Sequence, residues 1–84
     1  MNDKELPEVN VSETSLNIER LMRQKHISNF DLMMKLRYSS PTNIYAWKRG
    51  KCVPSADNLV KLAYIFGCDI ADILVIDYPE GASK

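Results

Sequence analysis

The triplet Ser39-Ser40-Pro41 limits this chain more than any other feature. A proline ring fixes φ and removes the backbone N–H, so Pro41 fits the first turn of a helix and not its interior. The serines before it are good capping residues. Upstream, Ser28 opens another helix, with Asp31 three residues on as a variant of the capping box. Leu32, Met33 and Leu36 supply the apolar stripe of that helix. The connection between the two helices is therefore only about Arg37 to Ser39. The later helix runs from Pro41 to about Arg49 and closes at Gly50. Two short helices joined by so tight a turn form a geometry that can seat the second helix in the DNA major groove.

The rest of the chain reads as helices of similar length. Ser12 is expected to cap the first, with Ile18, Leu21 and Met22 at i, i+3, i+4, ending about Lys25. His26 and Ile27 make a bend. Lys51 to Pro54 form a loop, and Ser55 caps a helix from Ala56 to Phe66 that stops at Gly67. Leu59, Leu62, Ala63 and Phe66 lie at core spacing along it. A fifth helix is expected over about Ile70 to Leu74. Residues 1–11 are polar and contain Pro7, and are expected to be a flexible N-terminal arm; residues 77–84 are expected to be a flexible C-terminal tail. The domain between them is 12–76. No segment alternates with period two, so the expected class is all-α with five helices. At 84 residues, burying roughly 60–65% of its unfolded surface, the chain has one small core and no large cleft.

Eleven basic and eleven acidic side chains give a formal charge of zero, which taken alone argues against a polyanionic partner. Their distribution reverses that inference. Residues 1–19 carry five acids against Lys4, a net −4. Residues 20–51 carry eight bases against Asp31, a net +7. Residues 52–84 carry five acids against Lys61 and Lys84, a net −3. The basic centre coincides with the tightly joined helix pair.

Other chemistries find little support. Cys52 and Cys68 stand 16 apart with no CxxC and one histidine, His26, in the whole chain, so no zinc site is expected and both are read as free, buried thiols. No nucleophile–base pair or Gly-rich phosphate loop is visible, so an enzyme is not expected, nor a cofactor or small-molecule ligand. No apolar run is long enough to span a membrane, and residues 1–10 lack the apolar stretch of a secretory signal. A cytoplasmic location is the expectation.

The faces of the third helix follow from 100° per residue. Ile44 and Trp47 are its large apolar residues and face the core. The opposite stripe is Thr42, Tyr45, Ala46 and Arg49, with Pro41 and Lys48 flanking one side and Asn43 the other. This short and mostly uncharged surface can approach base edges while Lys48, Arg49 and Lys51 hold phosphates. Thr42 and Asn43 can hydrogen-bond bases, and Asn can pair bidentately with adenine. Pro41 or Ala46 can meet a thymine methyl. With so few donors, part of any specificity is expected to come from DNA shape.

The stretch ISNFDLMMKLRYSSPTNIYAWKRGKCVPSADNLVKLAYIFGCDIADIL resembles the Cro and phage-repressor type helix-turn-helix regulators, the XRE family found in bacteria and phage. The residues that carry the likeness are Ser28-Asn29, Leu32-Met33, Ile44, Trp47, Gly50 and Pro54-Ser55, and it extends from Ile18 to Leu74. It implies a five-helix lambda-repressor-like fold and a small double-stranded DNA-binding transcriptional regulator, most simply a repressor. It further implies that Asn29 bonds a phosphate, that Ser40, Pro41, Thr42 and Ala46 face bases, and that Arg49 and Lys51 meet backbone phosphates. Three departures stand out. Arg37 occupies the turn position that is usually Gly, so the turn is expected to take another shape. Met33 replaces a small Ala, so the helix pair must sit apart or repack. Met22 and Lys48 replace an Arg–Glu pair, so Lys48 is expected to be free to point at DNA.

The runner-up reading is a protein-interaction module that reuses the fold, as an antitoxin or an antagonist of another regulator, because acidic ends suit a basic partner. The apolar run Ile73 to Ile76 is the candidate contact for a homodimer.

Overall fold

A computed structural model describes residues 6–79. Four α-helices carry the fold: α1 (Val11–Gln24), α2 (Asn29–Leu36), α3 (Thr42–Lys48) and α4 (Ala56–Phe66). A single 3₁₀ turn spans Ile70–Asp72, and two two-residue strands, β1 (Glu8–Val9) and β2 (Ile76–Asp77), pair antiparallel with Glu8 opposite Asp77 and Val9 opposite Ile76.

The helix starts follow the capping chemistry of the sequence, with two corrections: α3 begins at Thr42, with Pro41 itself at the cap position and no side-chain cap, and α1 takes another cap. Ser28 and Asp31 form a reciprocal box: the Asp31 N–H donates to Ser28 Oγ at 3.0 Å and the Ser28 N–H to Asp31 Oδ2 at 3.1 Å. The Ser28 N–H bond reaches the carboxylate and favours its charged form, and the Ser28 hydroxyl adds to the effect, so Asp31 is held below the usual aspartate range. Ser55 accepts from the Asn58 N–H at 3.3 Å. The first helix is capped by Asn10 and not by Ser12, with Asn10 Oδ1 accepting from the Glu13 N–H at 2.9 Å. Asn and Ser are comparable caps; Asn10 prevails because its own N–H donates to the Val75 carbonyl at 2.8 Å and its amide to Asp77. The expected arm and tail thus meet in the ladder as far as the structure describes them; residues 1–5 and 80–84 of those segments lie outside the described residues.

All four helices end the same way. A residue with positive φ follows the last turn: His26 at 56°, Arg37 at 60°, Gly50 at 72° and Gly67 at 69°. Its N–H, and that of the next residue, turn back to carbonyls of the final turn. After α2, Arg37 donates to Met34 and Tyr38 to Met33; after α3, Gly50 donates to Trp47 and Lys51 to Ala46. The same pair of bonds closes α1 and α4, so each end is a Schellman motif. Arg37 therefore keeps the left-handed turn for which the sequence argued another shape.

The expected fifth helix is only the 3₁₀ turn, and the class is mostly helical with a small ladder, not purely α. The reason lies in α1. Asn17 Nδ2 donates to the Ile73 carbonyl at 3.1 Å, and the buried Thr14 Oγ1 accepts from the Val75 N–H at 3.0 Å. These partners satisfy the backbone of 73–75 without a helix, and β-branched Val75 and Ile76 then favour extension.

The core gathers Ile18, Leu21 and Met22 of α1, Leu32 and Leu36 of α2, Ile44 and Trp47 of α3, Leu59, Leu62, Ala63 and Phe66 of α4, and Ile73. Met33 and Tyr38 pack on its edge, the Tyr38 ring lying 6.2 Å from that of Trp47 and its hydroxyl donating to Asn58 Oδ1 at 2.9 Å. Among the described residues no buried side-chain polar atom lacks a partner. The two thiols are unpaired, and Cys52 is exposed, not buried as expected; Cys68 is half-buried, and burial followed by the nearby Asp72 and Asp69 raises its pKa, which keeps it a thiol.

Candidate nucleic-acid interface

The surface centres on α3. Burying Ile44, fully, and Trp47 leaves Thr42, Asn43, Tyr45 and Arg49 exposed on the other side, with Ala46 half-buried between them. The helix is only seven residues long, so it depends on its neighbours for its position. Its start is fixed by the turn. Ser40 Oγ accepts from the Thr42 N–H at 3.2 Å and also bonds the Thr42 hydroxyl at 2.7 Å. Pro41, half-buried, lies between them, and its carbonyl accepts the first helical bond, from Tyr45. Two hydroxyls expected to face bases are therefore bonded to one another, and a shallow cleft between Tyr38, Ser39, Ser40, Thr42 and Asn43 runs beside them.

The far end of α3 holds the cations. Arg49 lies over the Tyr45 ring, 5.9 Å from its centroid, so the ring orients the guanidinium. Lys51 is exposed at the residue after Gly50. At the three other helix ends the equivalent residue is Ile27, Tyr38 or Cys68, and each packs on the core. Only α3 places a charge there.

Lys48 departs from expectation. Its ammonium is not free but donates to Asn29 Oδ1 at 2.8 Å, and the residue is half-buried. Asn29, at the start of α2, keeps its Nδ2 donor for another partner. Together they line an open polar cleft with Arg23, Glu19, Met22, Ile27 and Ser28. Arg23 was not singled out from the sequence and Ser28 only as a helix cap, because their approach in this cleft depends on how α1 crosses α2. The Lys48 carbonyl is also held: the buried Ser15 hydroxyl donates to it at 2.7 Å. A sequence signal for Ser15 did exist, since it stands three residues before Ile18 and seven before Met22, on the apolar stripe where a polar residue needs a partner.

Of the ten candidate residues, the structure places Ser40, Pro41, Thr42, Asn43, Tyr45, Ala46, Arg49 and Lys51 along or beside the outward face of α3. Asn29 and Lys48 form a separate pair at the junction of α2 and α3. Residues 17–78 match the family of Cro/C1-type HTH DNA-binding domains. The chain belongs to that family. No curated protein and no solved structure gives a significant match. The Cro/C1-type match takes in α2, α3, α4 and the 3₁₀ turn, together with residues 17–24 of α1, and so includes every candidate residue. Among the described residues, no helix is long and apolar enough to cross a membrane.

Proposed function

We propose that this chain is a sequence-specific double-stranded DNA-binding regulator, a repressor by occupancy, in which α2 and α3 form the helix-turn-helix and α3 enters the major groove. One observation carries the reading: a short helix, buried through Ile44 and Trp47, turns a narrow polar face outward and ends in Arg49 and Lys51. Thr42 and Asn43 are the side chains that read bases; Pro41 and Ala46 meet methyl groups; Ser40 accepts the Thr42 N–H in the turn and shares its hydroxyl with Thr42. Tyr45 carries Arg49 to the backbone, and Arg49, Lys51 and Asn29 bond phosphates. A second copy, docked through Ile76, the exposed residue of the 73–76 run, and its exposed neighbours Ile70 and Tyr78, makes the homodimer that reads a two-part site; Ile73 of that run is fully buried in the core and takes no part. The location is cytoplasmic, where such a site is found.

Selection of bound duplexes from a random library tests the reading. The expected result is a short shared site, palindromic for a dimer. Arg49→Ala and Lys51→Ala should each weaken binding similarly on all sequences and lower the salt slope by about one. Arg49→Ala with unchanged duplex affinity at low salt would exclude this docking.

The alternative is an interaction module of the same fold, favoured by the exposed Val60 and Tyr64 beside Lys35 and Arg37. One protein partner combined with no duplex binding at low salt would select it.

A further inference from the structure

We infer that Lys48 is a positioning residue that fixes Asn29 and the recognition helix for DNA, and is not itself a phosphate ligand; this rests on the DNA-binding reading above. Lys48 is held from both sides. Its ammonium donates to Asn29 Oδ1 at 2.8 Å, and its backbone carbonyl accepts from the Ser15 hydroxyl at 2.7 Å. One residue at the end of α3 thus joins that helix to α1 through its main chain and to α2 through its side chain. Its neighbours Arg49 and Lys51 are exposed, whereas Lys48 is half-buried and turned into the junction.

The consequence falls on Asn29. An amide has one oxygen and one NH₂ group, and either can face outward unless something chooses between them. The ammonium can only donate, so it takes the oxygen and leaves Nδ2, a donor, facing the cleft, which is the polarity a phosphate oxygen needs. The same bond ties the start of α2 to the end of α3, so the tilt of the exposed stripe and the aim of the Asn29 donor are set together. Arg23 on the cleft wall faces Glu19 only loosely, at 4.0 Å, so the positive charge that collects there is little compensated.

The test is a double-mutant cycle on duplex affinity, measured against salt for the full chain with its selected duplex. Lys48→Ala and Asn29→Ala should each lower affinity about tenfold, and the double variant should lose no more than either single one. The salt slope of Lys48→Ala should stay within half a unit of the parent, since the phosphate contact it disturbs is the uncharged one of Asn29. Lys48→Arg should restore most of the affinity. Asn29→Asp keeps an acceptor for Lys48 but removes the outward donor, so it should bind at least as poorly as Asn29→Ala while melting at or above the parent temperature. That variant separates positioning from folding. Additive losses, a slope lowered by about one in Lys48→Ala, or full affinity in either single variant would overturn the inference. An unmodified chain that bound no duplex would remove the reading beneath it instead.

Discussion

Arg37 holds φ 60° and ψ 37°, a left-handed conformation that a non-glycine residue occupies at a cost of about 1 kcal/mol or more. Its Schellman bonds and the packing of Tyr38 against Trp47 hold it there. Arg37→Gly is therefore expected to stabilise the fold by up to about 1 kcal/mol, or roughly 4–8 °C in Tm. Urea unfolding measures it, and a destabilised variant would show that the arginine side chain contributes more than its backbone strain removes. Why this turn misled sequence reasoning is also clear at this scale. The sign of φ is not written in residue identity when tertiary contacts outweigh local preference. Asp31 supports a second expectation. Because its folded pKa is depressed, its contribution is complete above the unfolded value, about pH 4, and is lost as pH falls below it. Asp31→Asn should thus lose less stability than the parent between pH 5 and 3. Equal losses in an acid titration followed by circular dichroism would mean that the Ser28 box contributes nothing.

At the scale of elements, what could be read was what depends on local chemistry. The start of α2 at the Ser28–Asp31 box, the ends at Gly50 and Gly67, and the two faces of α3 all follow from capping and 3.6-residue spacing. What could not be read depends on partners far apart in sequence. The ladder joins residues 8–9 to 76–77, and the failed fifth helix has its backbone satisfied by Thr14 and Asn17, some sixty positions away. Lys48 followed the same pattern: an unpaired cation in sequence, it finds Asn29 nineteen residues away. The Thr14 contact is directly testable. Thr14 is fully buried and holds the Val75 N–H, so Thr14→Val keeps the shape but strands that donor. The expected loss is about 1–3 kcal/mol in chemical denaturation, accompanied by faster amide exchange at Val75. A neutral substitution would mean that the N–H finds water, and that α1 does not organise the 73–77 segment.

Across the whole molecule, charge is segregated and not merely balanced. The +7 of residues 20–51 includes Arg49 and Lys51 at the end of α3, while β1 and β2 set Glu8 directly opposite Asp77. Like charges facing each other across a ladder oppose pairing; the Asn10 amide bond to Asp77 offsets part of that cost, and Glu8 adds to it. In the DNA-binding reading this arrangement has a use. Acidic groups outside the basic segment are repelled by a polyanion, which disfavours loose, misoriented encounters more than the docked one. Shortening the chain would be a poor test, because Asn10 caps α1 and Glu8–Val9 form β1. Neutralisation in place is better: Asp3→Asn, Glu5→Gln and Glu8→Gln together remove three negative charges with little change of shape. That triple variant should bind random-sequence duplex a few-fold more tightly at low salt, with the gain fading as salt screens it. Its preference for the selected site over random duplex should narrow correspondingly, since the groups that read bases are untouched while the background rises. Random-duplex affinity that stayed level or fell at every salt concentration would mean that these carboxylates take no part in discrimination, or that they face away from DNA in the bound state.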